Sequence, residues 1–132
     1  MTTQDIMIGD WVKPFGSKEG VYAKVTSIEP NRIGLITTGG NPHHGTEKTI
    51  EPILINKEIL EKNGFVKDDN DDCWGDANCF FIPNYVDKKI ISWETHIEPD
   101  SGIGDFSGKL RYVHELQHAL KVCGIYLELK VN

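Results

Sequence analysis

Across the first 55 residues the apolar positions come in short bursts separated by turn residues. Residues 8–13 read as a first strand, closed by Pro14 and Gly16. Residues 21–28 alternate, with Val21, Ala23 and Val25 on one face and Tyr22, Lys24 and Thr26 on the other. Residues 32–38 carry Ile33, Leu35 and Ile36 as a third strand, and Thr49-Ile50 begins a fourth. Glu29-Pro30-Asn31 is turn chemistry, while Gly39-Gly40-Asn41-Pro42-His43-His44-Gly45 reads as a loop. Strands this short and this closely spaced predict a small SH3-like barrel over residues 1–55.

The pattern changes over residues 56–132. Asn56 is a good N-cap for a helix over 57–62, and Asn63-Gly64 stops it, because glycine takes the left-handed conformation a helix end requires. An acidic loop follows at Asp68-Asp69-Asn70-Asp71-Asp72, then two strands at 79–82 and 89–93 forming a hairpin around Pro83-Asn84. Residues 98–108 are rich in glycine and read as exposed turns. Over 110–123 the apolar positions Val113, Leu116, Leu120 and Cys123 follow the 3, 4, 3 spacing of an amphipathic helix, which Gly124 ends. Residues 125–131 alternate and predict a closing strand. The fold class expected is therefore α+β: a small SH3-like barrel, a helix, a β-hairpin, and a C-terminal helix with a closing strand.

Composition narrows the function classes. The chain has 132 residues, with 14 basic and 20 acidic side chains and a net charge of −6. That balance, without a Lys/Arg cluster, argues against a double-stranded nucleic-acid face. No apolar run approaches the roughly 20 residues that span a bilayer, so no membrane partner is expected. Residues 1–5 lack the positive start and apolar stretch of a signal peptide, which points to a cytoplasmic setting. Cys73, Cys79 and Cys123 form no CxxC pair and read as reduced, buried thiols.

Three groups of residues carry candidate chemistry. His114-Glu115-Leu116-Gln117-His118 has the H-E-x-x-H form in which two histidines one helical turn apart hold zinc and the glutamate activates a water. At about 100° per residue both histidines fall opposite the apolar stripe, beside Arg111 and Lys121. Lys121 and Gly124 occupy the places where an extended zinc motif needs Gly and His, leaving His96 or His43 as third ligands from elsewhere. The helix is read as architectural and no cofactor is assigned, with a zinc-dependent hydrolase using Glu115 as the alternative. The aspartates at 68–72 fail the EF-hand register, because Trp74 and Phe80 stand at its sixth and twelfth places counted from Asp69. Asp71, Asp72 and Trp74, the last read as exposed, are the candidate contacts for a basic protein partner. His43 and His44 among glycine amides suit an anionic small molecule instead. The protein partner is favoured, and a homo-oligomer stays open.

The blocks Ile8-Gly9-Asp10-Trp11-Val12, Ile50-Glu51-Pro52-Ile53-Leu54-Ile55, Ile59-Leu60-Glu61-Lys62-Asn63-Gly64-Phe65 and Tyr112-Val113-His114-Glu115-Leu116-Gln117-His118 occur in this order along nearly the whole chain. In this the sequence resembles a family of small uncharacterised proteins from Bacteroidetes genomes, their phages and mobile elements. The resemblance implies a cytoplasmic, often phage-linked accessory protein without an assigned activity. The function expected is that of a non-enzymatic binding or accessory protein, one concrete form of which would be an anti-defence protein that blocks a host immune protein or sequesters its signal. It also implies that the position of His118 is often not histidine. The glycine-rich 39–45 segment and the Asp/Cys-rich 68–79 segment depart from that family, so a specialised role is expected there.

Overall fold

The computed structural model describes residues 1–2, 4–17, 20–102 and 104–132. They form two units, Met1–Ile53 and Leu54–Asn132. The chain is α+β, and its described residues form two antiparallel five-stranded sheets and two helices.

The first unit contains β1 (Trp11–Pro14), β2 (Ala23–Glu29), β3 (Arg32–Thr37), β4 (Pro42–Gly45) and β5 (Ile50–Glu51), in the order β4-β3-β2-β1-β5. Alternation along β2 and β3 turns Ala23, Val25, Ile33 and Leu35 inward, where they form a buried aliphatic cluster with Ile6, Val12 and Ile50. Among the described residues no ladder joins β4 to β5, so the predicted barrel is not closed. The predicted 39–45 loop is corrected in its second half. Pro42, His43 and His44 pair with Ile36, Leu35 and Gly34 of β3. Pro42 is tolerated because it starts an edge strand, where no neighbour needs its missing N–H. The turn is left to Gly40, whose φ of 83° is left-handed.

The second unit contains α1 (Lys57–Lys62), β6 (Val66–Lys67), β7 (Trp74–Gly75), β8 (Cys79–Val86), β9 (Lys89–Ile97), β10 (Phe106–Leu110) and α2 (Val113–Val122). Its sheet runs β10-β9-β8-β7-β6. The two helices end alike. Gly64 N–H donates to Glu61 O and Phe65 N–H to Leu60 O; Gly124 N–H donates to Lys121 O and Ile125 N–H to Leu120 O. Both are Schellman caps, as the glycines predicted. The core is aromatic: Phe65 meets Phe81 edge to face at 4.9 Å, and Trp74 meets Trp93 at 5.5 Å.

Three expectations fail in this unit. The hairpin turns at Asp87-Lys88, both with positive φ, and not at Pro83-Asn84. Positive φ at both central residues fits the twist of a two-residue hairpin turn. Pro83 instead lies within β8 past the end of its pairing with β7, an edge that needs no N–H. Residues 106–110, expected as exposed turn and helix start, form β10 on the edge of β9. Ile103, in the same turn-rich stretch, lies outside the described residues. The closing strand over 125–131 forms no ladder. The amide of Asn63 takes a strand's place, accepting from Lys130 N–H and donating to Lys130 O, both at 2.7 Å. Leu129 and Val131 are buried by this docking.

Candidate functional site

The H-E-x-x-H helix is the first place to look for chemistry. Glu115 Oε1 accepts hydrogen bonds from the backbone N–H groups of Arg111 and Tyr112, both at 2.9 Å. These amides precede the first turn and have no intrahelical acceptor, so the carboxylate closes the helix start. Ile55 N–H donates to Arg111 O and Leu54 bridges Tyr112, fixing the same entry point. His114, predicted on an exposed polar face, is buried at 5% exposure. The correction has a local cause. Tyr112 stacks on its ring at 5.8 Å, and His118 meets it edge-on at 5.7 Å. His96 and His43, the third ligands considered, are not gathered with them: among the described residues no three His, Cys, Asp or Glu side chains come together as a metal cage. The motif here is a helix start with two packed imidazoles.

The acidic segment is a built structure. It forms the tip of the β6–β7 hairpin, where Asp68 N–H donates to Cys73 O and Asp68 Oδ1 accepts from the N–H groups of Asn70 and Asp71. Tyr85 Oη donates to Asp72 Oδ2 at 2.6 Å, tying the tip to β8, and this bond raises the Tyr85 pKa. Lys67 Nζ, the nearest cation in sequence, is used on the carbonyls of Asp68 and Asp71. Ion pairs join His96 to Glu98 and Lys109 to Glu94, and among the described residues no Lys or Arg lies within 4.0 Å of the tip carboxylates.

Trp74 does not belong to an exposed tip. It is 1% exposed, with Lys57 and Lys67 ammonium groups 5.1 and 5.8 Å from its ring and its Nε1 donating to Glu61. The correction follows from β7, whose pairing with Phe81 turns Trp74 to the buried face of the sheet. Asp71 and Asp72 stay exposed; Trp74 is their foundation and not a contact.

His43 and His44 are exposed on β4. Beyond its far end Arg32 and Lys48 line a cleft of about 270 Å³ together with Glu29, Asn31, Thr46 and Glu47. Two cations face two carboxylates there, so the cleft selects neither charge sign. A second hollow, about 370 Å³, is bordered by Asn78, Glu98, Asp100 and Asp105. The Asn78 amide bonds the Glu98 carbonyl and the Asp100 carboxylate, closing that loop on itself.

Sequence reasoning passed over the outward residues of the second sheet. Phe80 and Ile82 alternate with buried Cys79, Phe81 and Pro83, so the signal was present in the period-2 pattern of an apparently continuous apolar run. The three thiols are buried as expected, and burial pushes Cys79 up to about 12. No family model, curated protein or solved structure matches the chain.

Proposed function

We propose that this is a non-enzymatic binding or accessory protein whose partner is another protein presenting a basic surface. The observation that carries the reading is the 68–72 hairpin tip. Asp68, Asp71 and Asp72 are held in place by backbone and tyrosine hydrogen bonds, with Asp69 between them, and among the described residues no lysine or arginine lies within 4.0 Å of their carboxylates. Like charges gathered on an ordered support favour a complementary partner through faster encounter and selective docking. The strand order of the first unit supports reading it as an open SH3-like binding module. The family resemblance extends the reading to a cytoplasmic role in a phage or mobile element, as an anti-defence protein acting on a host immune protein.

The test is direct. The protein is expressed in a host carrying a defence system, and phage plating is compared with that of an Asp71→Asn/Asp72→Asn variant. Restored plating with the parent protein and not with the variant supports the reading. With the captured partner in hand, its affinity should fall as salt rises. An affinity indifferent to both salt and the double substitution would sink it.

A further inference from the structure

Resting on the reading of a basic protein partner, we propose that the partner docks on the outer face of the second sheet, over an apolar stripe edged by carboxylates, and not on the hairpin tip alone. Strand register places the stripe. Val66, Gly75, Phe80, His96 and Ser107 form one row across all five strands. Ile82, Glu94 and Lys109 form an outward row further along β8. On this face Val66 is 70% exposed, Phe80 46% and Ile82 43%. Gly75, between Val66 and Phe80 in the row, has no room for a side chain, because a Cβ there would run into the Cys79 carbonyl.

The stripe's borders identify its occupant. Asp68 continues the outward face of Val66 into the acidic tip; Glu94, beside Ile82, is shared with Lys109, and Glu98, beyond His96, with that histidine, so among the described residues the unpaired charge of the rim lies at the tip. The second unit holds nine basic against fourteen acidic side chains, a net −5 of the chain's −6. A second copy would bring two such faces together at a cost in repulsion, so charge complementarity selects a different protein with apolar side chains ringed by lysine or arginine. Aromatic and aliphatic side chains at the centre, with charge at the rim, is the arrangement in which a few buried anchors carry most of the affinity.

Two synthetic probes test this by backbone amide shifts: a helical peptide with leucines on one face and lysines on the other, and an oligolysine of equal charge. The amphipathic peptide should bind more tightly and shift Val66, Gly75, Phe80, Ile82 and Glu94, whereas oligolysine should shift only the tip. Phe80→Ser should weaken the amphipathic peptide roughly tenfold and leave oligolysine unchanged; Ile82→Thr repeats the test if the first variant melts early. Shifts confined to residues 68–72 with both peptides would overturn the docking face while leaving the acidic-tip reading standing. No binding of either peptide would overturn both. Sedimentation showing a dimer that Phe80→Ser dissolves would make a second copy the occupant and overturn the proposal.

Discussion

The two units solve the problem of a small fold in different ways. The first, Met1–Ile53, is a sheet with no helix among its described residues, its buried cluster is aliphatic, and its charges nearly balance at five basic and six acidic. The second, Leu54–Asn132, adds two helices, packs Phe65, Phe81, Trp74 and Trp93 as two edge-to-face pairs, and contains all three cysteines. It also carries nearly all the excess negative charge. The pairing of a heavy aromatic core with a crowded acidic tip has a physical logic. Neighbouring carboxylates repel, so a hairpin that presents four of them needs a support whose own stability exceeds that repulsion. Trp74 under the tip, and Tyr85 bonded to Asp72, are parts of that support.

The comparison breaks most visibly if the units are not separately stable. Leu120 is 1% exposed on α2, so Leu120→Ala should cost about 2–5 kcal/mol, the range for large-to-small core changes. Amide hydrogen exchange should quicken across residues 54–132 and stay near parental in residues 1–53. Equal acceleration in both would show one cooperative block. A smaller effect is expected at Asn63, whose amide holds Lys130 from both sides. Asn63→Ala removes two hydrogen bonds to Lys130 and one to Ile59 O and should cost about 1–3 kcal/mol, and limited proteolysis should then cut within 125–132. A tail that remains protected would mean that Leu129 and Val131 suffice to hold it.

Glu115 separates the architectural reading of α2 from the catalytic one. Glu115→Ala removes the acceptor of two backbone amides and should cost about 0.5–2 kcal/mol, as losing a helix cap does. An unchanged melting temperature would contradict the capping role. The thiols sharpen the contrast between units, since all three report on the second. None should react with a disulfide reagent at pH 8 before unfolding. The sign of the pH effect follows from burial, then Asp76, which raise Cys79 to about 12 from the usual 9.0. The protonated thiol is favoured in the folded state, so this contribution is complete below pH 9 and is lost as pH rises from 9 towards 12. The smallest effect is expected in the first unit. His43→Ala and His44→Ala, on an exposed edge strand, should each stay within about 0.5 kcal/mol by denaturant unfolding. A larger loss would show that this edge is covered.

Much was legible where the cause is local. Asn56 caps α1 through a 2.8 Å bond to Ile59 N–H, and Gly64 and Gly124 stop their helices in the left-handed conformation. The stripe of Val113, Leu116, Leu120 and Cys123 is buried as its spacing required. His43, His44, Asp71 and Asp72 are exposed as their segments suggested, whereas Trp74 and His114 are buried. Trp74 lies in an acidic stretch and is buried because β8 pairs beside it; His114 sits off the stripe and is buried because Tyr112 stacks over it.

The sequence by itself determined the elements whose signals lie within a few residues: caps, helical period, turn residues, strand alternation and net charge. Tertiary structure alone decided which segments became strands without a strand pattern, such as β4 and β10, and which alternating segment did not. Residues 125–131 have the period of a strand yet meet an asparagine side chain where a neighbouring strand would stand. A strand is stable only when a partner satisfies its backbone, and that partner is set by residues far away in the chain. The same holds for the outer sheet face. Val66, Phe80 and Ile82 are ordinary apolar residues in sequence, and only their shared register across β6, β7 and β8 makes them one surface.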